Sequence, residues 1–318
     1  MNIKWKRLIE GVLLSFVPLF LFVFFVYGSQ IYLLSEKNVS ESEIFLGSLY
    51  NSDENNNRNI EETEEIIEEK DLISNDINAN AVISVEVDFL NLNTERVIFE
   101  KNADLKLPIA SLTKLMTALI SFENYNLSDV IVISDAADLQ PPMKTDFKLG
   151  DAFSVQEFIN VMLIESSNKA ALALSEKIGT ENFIFLMNKK AKELGLKNTF
   201  FTDPTGISSK NVSTVKELII LVKYILNNYL EIAQISTIKN YELDNLGKIT
   251  NTNQLLMEIP NIILSKTGFT NYANGCLLLI LNNLENNKYL INIILGADDR
   301  FLEMRRLINW ENIIEHNN

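Results

Sequence analysis

The apolar positions fall into three regimes along the chain. Over 11–34 they run almost without a break, as GVLLSFVPLFLFVFFVYGSQIYLL, interrupted only by small or polar residues and Pro18. A bilayer needs about 20 predominantly apolar residues, so the pattern predicts a membrane segment within 1–34. Over 35–80 the apolar positions thin out and tracts such as NSDENNN and EETEEIIEEK take over. Such a composition cannot bury enough apolar surface to offset its ordering entropy and predicts a solvated linker, with a short helix at 60–72 the one element it admits. From 81 to 318 the periodicity becomes that of a globular domain large enough to bury a core.

Within that domain VISVEVDF (82–89) alternates and is rich in β-branched residues, and ERVIFEKN (95–102) follows the polar turn NLNT, which predicts a β-hairpin. SLTKLMTALISFENY (111–125) has helical length and is apolar almost all round, through Leu112, Leu115, Met116, Ala118, Leu119 and Ile120, so it is read as a central, buried helix. Four further stretches, at 155–167, 168–179, 181–195 and 212–230, read as helices, with Gly179 and Gly195 where helix ends fall and Asp203-Pro204-Thr205-Gly206 as a turn. The tail returns to strands: IILSKTGF (262–269), then a hairpin over 276–297 turning at Glu285-Asn286-Asn287, then a closing helix at 301–314. Strands at both ends with helices between them give an α+β architecture, and no solenoid-like repeat is present.

Charge sharpens the two leading segments. The formal net charge is −14, and residues 35–80, with 13 acidic and 3 basic residues, hold −10 of it. That density suits a solvated tether holding a domain off a membrane better than a cation or partner site. Lys4, Lys6 and Arg7 precede the apolar run, which predicts a cytoplasmic start and export of all that follows. A cleaved signal has a shorter apolar core, and only Val26-Tyr27-Gly28 faintly resembles a cleavage site, so an uncleaved anchor is favoured over a cleaved one. An acidic chain without a basic stripe implies no nucleic-acid partner.

Composition also narrows the chemistry. The single histidine, His316, is third from the end, which argues against a Ser-His-Asp triad. Cys276, the only cysteine, lies in the apolar run CLLLIL; no disulfide can form within the chain, a Cys/His zinc site lacks ligands, and no metal or cofactor is implied. Cys276 is read as a buried strand residue. For an activated nucleophile at neutral pH the remaining bases are carboxylates, tyrosine or a lysine of lowered pKa.

Three short motifs occur in order: S-x-x-K at Ser111 and Lys114, S-x-N at Ser166 and Asn168, and K-T-G at Lys266, Thr267 and Gly268. The first is cheap, since it recurs at Ser166/Lys169, Ser213/Lys216 and Ser236/Lys239, and S-x-N recurs at Ser209/Asn211; K-T-G occurs once. Only Ser111 joins a preceding loop, LPIA, to a following buried helix. Unpaired N–H groups and the dipole at a helix start favour developing negative charge there. Lys114, one turn on, can reach the serine oxygen, and burial would lower its pKa toward that of a base. Ser111 could equally be a plain N-cap. Ser166-Ser167-Asn168 lies between two helical stretches, where a turn can aim a hydroxyl and an amide into a cleft, or simply cap helices. Lys266-Thr267-Gly268 ends an apolar run, so it sits on a strand, either bordering a cleft with a charge, a hydroxyl and an open backbone or closing a plain edge strand.

Class A β-lactamases and penicillin-binding proteins share this motif set, and over 80–314 the chain resembles the low-molecular-weight penicillin-binding proteins, the serine D-alanyl-D-alanine carboxypeptidase family. VIFEKNADLKLPIASLTKLMTALI resembles the family's hairpin and nucleophile helix, FLMNKKAKELGLKNTFFTDPTGI its middle, and SKTGFTNYANGCLLL its third motif. The resemblance implies a β-lactamase/transpeptidase-like fold, an antiparallel sheet packed with helices plus a mostly helical subdomain. It implies Ser111 as acylated nucleophile, Lys114 as general base, Ser166 and Asn168 as proton-relay and amide-binding pair, and Lys266 with Thr267 as recognisers of a terminal carboxylate. Backbone N–H groups of Ser111 and Phe269 would form the oxyanion hole. The expected substrate is the D-Ala-D-Ala end of peptidoglycan stem peptides, with β-lactams as covalent inhibitors and the amino-terminal segment as membrane anchor of an extracytoplasmic domain. The chain departs from the usual pattern in reading SSNKAA where carboxypeptidases have S-x-N-D-A-A, and DPTGISSKNVST resembles the endopeptidase branch, which makes cross-link cleavage the alternative. Thr252 stands where many members carry an arginine, and Arg300 is a further candidate for binding the carboxylate. The chain ends soon after the closing helix, without the extra β domain and amphipathic tail of many members. No glutamate-bearing loop between the second motif and K-T-G suggests a β-lactamase, and the complete trio argues against a silent wall-binding module.

Overall fold

The computed structural model describes residues 77–141, 147–243, 246–283 and 287–316, all within a compact unit, Thr63–Asn318. The expected anchor, the helix at 60–72 and the turn residues Glu285 and Asn286 lie outside the described residues. The elements run β1 (Ala81–Asp88), β2 (Glu95–Lys101), β3 (Leu107–Pro108), a 3-10 turn (Ala110–Leu112), α1 (Thr113–Asn124), β4 (Val130–Val132), α2 (Asp135–Asp138), β5 (Ala152–Ser154), α3 (Val155–Ile164), α4 (Asn168–Glu176), α5 (Thr180–Glu193), β6 (Val212–Ser213), α6 (Val215–Asn228), α7 (Leu230–Ser236), β7 (Asn240–Leu243), β8 (Gly247–Thr250), a second 3-10 turn (Gln254–Met257), β9 (Ile262–Thr270), β10 (Asn274–Asn283), β11 (Lys288–Ala297) and α8 (Arg300–His316).

Five strands form an antiparallel sheet in the order β2-β1-β11-β10-β9, so the first hairpin and the last three strands close one layer across the whole domain. Register places Val85 and Ile280 on either side of Ile291. Those three, with Ile83, Leu278 and Ile293, face the helical side and join Leu115, Met116 and Leu119 of α1 in one core. The alternate residues Val82, Leu277, Leu279 and Ile294 pack on the other face against Met304, Leu307, Ile308 and Trp310 of α8. Covering both faces explains why β10 reads as an unbroken apolar run rather than an alternating one. The α+β expectation holds, as does the buried place of Cys276 in β10.

Helix α1 is the axis of the helical part: every residue from Thr113 to Ser121 is buried. Helix α3 begins on a full capping box, Ser154 accepting from the N–H of Glu157 while Glu157 reaches back to Ser154. Several boundaries differ from the sequence pattern. Val212 and Ser213, expected in a helix, form β6 and pair with β3; α6 starts only at Val215, where the Thr214 side chain accepts from Glu217 N–H. The run expected to stay helical to 230 breaks at Tyr229 (φ −142°, ψ 59°), and α7 leaves at a bend of 107°. The hairpin of β7 and β8 has no counterpart in the expected elements. At the front edge Ile77 and Ala79 are already buried, ahead of the expected domain start at 81. The closing helix extends through His316, two residues beyond the expected end at 314.

Candidate active site

Ser111 does not cap a helix. It sits in the 3-10 turn, which runs straight into α1, and the preceding residue, Ala110, has a φ of +45°. A positive φ is uncommon for a residue with a side chain and marks a turn held by its surroundings. Here β3 pairs with β6, and the Ile109 N–H donates to the Asn211 carbonyl at 3.1 Å.

Lys114 lies near the start of α1 and is fully buried. Its Nζ meets Ser111 Oγ at 2.8 Å, Asn168 Oδ1 at 2.8 Å and the Thr205 carbonyl at 2.6 Å. Burial lowers its pKa to about 7, against the opposing pull of Asp203. Three acceptors match the three N–H bonds of an ammonium. Once neutral, the amine keeps two N–H bonds for Asn168 and Thr205 and turns its lone pair to the Ser111 hydroxyl, so only one hydrogen bond reverses direction.

The second motif joins this centre through a strained turn. Helix α3 is followed by its C-cap Glu165, Ser166 takes a φ of +67°, and Ser167 caps α4 by accepting from Ala170 N–H. The turn brings Ser166 Oγ to 2.9 Å from Lys266 Nζ and Asn168 to Lys114. Lys169, of the competing S-x-x-K match, points elsewhere, donating to Asp138 Oδ1 and to the Phe147 carbonyl at 2.6 Å each. The other two matches are equally scattered: Lys216 pairs with Asp104 at the surface, and Lys239 is exposed.

The third motif lies on β9, the strand at one edge of the sheet. Lys266 is 1% exposed, and its pKa is well below the usual lysine range because of burial first and then the neighbouring charges of Lys114 and Arg300. Thr267 Oγ1 lies 2.6 Å from Thr252 Oγ1. Gly268 lets β9 close on the Ser111 turn, since a Cβ there would stand 3.0 Å from both Ala110 Cβ and Ser111 N. Phe269, the next residue along β9, has an exposed side chain. Arg300, at the start of α8, lies against Gly275, and its Nε is buried with no hydrogen-bond partner among the described residues. Because the charges of Lys114 and Arg300 add to burial in holding the Lys266 pKa down, an anion bound beside Lys266 would favour its protonated form.

The sequence reading named all seven motif residues but missed what holds them. The Asp203 carboxylate accepts from the N–H of Thr205 and of Gly206 at 2.7 Å each, from Thr205 Oγ1 at 2.6 Å and from Ser208 N–H at 3.0 Å. Asn211 Oδ1 accepts from the N–H of Thr202 and Asp203, and its Nδ2 donates to Thr113 Oγ1 and the Asp203 carbonyl. Thr117 Oγ1 donates to the Pro204 carbonyl. A Cβ at Gly206, whose φ is +86°, would overlap the Ala110 carbonyl. The D-P-T-G turn is thus a clamp that presents the Thr205 carbonyl to Lys114. Its signal in the sequence was the turn itself, an aspartate ahead of several backbone N–H groups.

Residues 67–299 match the family model described as D-alanyl-D-alanine carboxypeptidase. The chain is 35% identical over 236 residues to the D-alanyl-D-alanine endopeptidase of Escherichia coli (strain K12), covering 70% of this chain and 74% of that protein. It is 33% identical over 217 residues to the D-alanyl-D-alanine carboxypeptidase DacF of Bacillus subtilis (strain 168), covering 64% and 55%. Among solved structures it resembles penicillin-binding protein D2 of Listeria monocytogenes in its cefotaxime-bound form, with a TM-score of 0.65 and 28% identity over 73% of this chain and 96% of that one. With the match spanning the sheet, the clamp and all three motifs, the chain belongs to the D-alanyl-D-alanine carboxypeptidase family.

Proposed function

We propose that the protein is a serine D-Ala-D-Ala carboxypeptidase that trims peptidoglycan stem peptides through an acyl-enzyme on Ser111. The observation that carries the reading is Lys114, fully buried, with a pKa lowered to about 7 and its Nζ 2.8 Å from Ser111 Oγ. Neutral Lys114 takes the serine proton as Oγ attacks the carbonyl of the penultimate D-alanine. Backbone N–H groups of Ser111 and Phe269 hold the oxyanion. The C–N bond then breaks, and the leaving D-alanine amine takes a proton by way of Ser166, which Lys266 orients at 2.9 Å. Asn168 holds the substrate amide, Lys266 and Thr267 hold the terminal carboxylate, and water hydrolyses the ester. A β-lactam enters the same path and remains as the acyl group. The amino-terminal apolar segment tethers the domain to the outer face of a membrane.

Mass spectrometry of the intact protein after penicillin treatment tests this: a single adduct mapping to Ser111, absent from Ser111→Ala, is expected. An adduct that persists in Ser111→Ala would overturn the assignment. Cross-link cleavage is a second reading, favoured because three of the relatives bear the name D-alanyl-D-alanine endopeptidase. Incubation with a pentapeptide and with a cross-linked dimer separates the two; clean dimer cleavage without release of D-alanine from the pentapeptide would decide for the endopeptidase.

A further inference from the structure

Thr252 belongs to none of the three motifs, yet it touches two of them. Its backbone N–H donates to the Ile164 carbonyl at 3.0 Å, at the end of α3 just before the Ser166 turn, and its Oγ1 lies 2.6 Å from Thr267 Oγ1. The segment that carries it is held on both sides. Asn251 Nδ2 donates to the carbonyls of Ser236 and Ile238, Asn251 Oδ1 accepts from Asn253 N–H, and Asn253 Oδ1 accepts from Leu255 N–H. Ser265, two residues ahead of Thr267, is tied to the same region, its N–H donating to Ser236 Oγ at 3.1 Å. The backbones that carry Thr252 and Thr267 are therefore held in place, which keeps the two hydroxyls within reach of each other.

A pair of hydroxyls has two protons, and their mutual hydrogen bond uses one. If Thr267 donated to Thr252, Thr267 would offer an incoming anion only lone pairs. If Thr252 donates to Thr267, the Thr267 proton is free to point into the cleft, and the bond it receives polarises it as a donor. An anionic end next to Lys266 selects the second arrangement.

We propose that Thr252 is a positioning residue that sets the direction of the Thr267 hydroxyl and so makes Thr267 a donor to the substrate's carboxylate. This rests on the reading above in which Thr267 recognises that carboxylate. Thr252 touches no reacting atom; its effect is confined to ligands that carry the anion.

The test measures the second-order rate constant of Ser111 acylation by benzylpenicillin and by its methyl ester, for the wild type, Thr252→Val, Thr252→Ala and Thr252→Ser. Removing the hydroxyl is expected to slow acylation by the free acid by roughly tenfold, the range one hydrogen bond commands, and to leave acylation by the ester unchanged. Thr252→Ser restores the wild-type rate. Thr252→Ala keeps the comparison decisive should Thr252→Val fail to fold. An equal loss with acid and ester, or no loss with either, would overturn the inference while leaving the acyl-enzyme reading intact. A wild type that neither compound acylates would instead overturn the acyl-enzyme reading, and this inference with it.

Discussion

In the proposed mechanism one buried side chain, Lys114, is the base. A lysine in water is protonated and useless as a base; here burial lowers the pKa to about 7 from its ordinary value of 10.5. Under the proposed mechanism the neutral amine is the active form, so the second-order rate of penicillin acylation is expected to rise with pH, half-way near 7, and to level off above it. A profile flat from pH 6 to 8 would contradict the assignment of the base. The same shift has a stability consequence. Between about 7 and 10.5 the unfolded chain holds a proton on this lysine that the folded chain has released, so stability gained from this group rises with pH over that window. Below the lower value both states are protonated and the burial cost is felt in full. Lys114→Met abolishes acylation and this dependence together. Urea unfolding at pH 7 and pH 10 should show the difference between wild type and Lys114→Met moving in favour of the wild type as pH rises.

At the level of elements the clamp and the helix caps have separable roles. Asn211 is fully buried and ties Thr202, Asp203 and Thr113 to one another. Asn211→Ala leaves several of those polar groups unpaired, at about 1–3 kcal/mol each, and frees the turn that presents the Thr205 carbonyl to Lys114. Ser154→Ala removes only the capping box of α3, at the end of that helix away from Ser166, and costs about 1 kcal/mol. Both variants should lower the thermal midpoint, but only Asn211→Ala should slow acylation; equal acylation rates in the two would show that the clamp is merely structural. The contrast also explains what was legible in the sequence. The strands β1, β2 and β9 to β11 and the central helix were readable because alternation and unbroken apolar runs report burial directly. Residues of the motif trio were readable because order and the uniqueness of K-T-G outweighed the repeated S-x-x-K matches. The clamp was not, because Asp203 and Asn211 act through backbone groups, and the Thr205 carbonyl is 91 residues from the lysine it serves. Strand β6 was hidden for a similar reason: Val212 and Ser213 precede a helical run and become a strand only by pairing with β3. The break at Tyr229 carries no glycine or proline to announce it.

For the whole molecule the question is where the folding unit begins. Ile77 is fully buried in the core between the sheet and α8, and its carbonyl accepts from Lys101 Nζ at 2.8 Å. The Asn78 N–H donates to Glu303 Oε2 at 3.1 Å, and Asn80 N–H donates to the Leu295 carbonyl at 3.0 Å. Residues 77–80 thus join β2, β11 and α8, and they belong to the domain rather than to the acidic stretch before it. A chain starting at Thr63 keeps all of these contacts and is expected to match the full chain in thermal midpoint and penicillin acylation. A chain starting at Val82 loses them; the Ile77 side chain alone is worth about 1.5–3 kcal/mol on burial. Its midpoint should fall by several degrees, since in a domain of this size about 2–4 °C accompanies each kcal/mol. Under the proposed tether the full chain sediments with membranes and the chain starting at Thr63 stays in the supernatant. A chain starting at Val82 as stable as the one starting at Thr63 would show that residues 77–81 add nothing to the domain's stability.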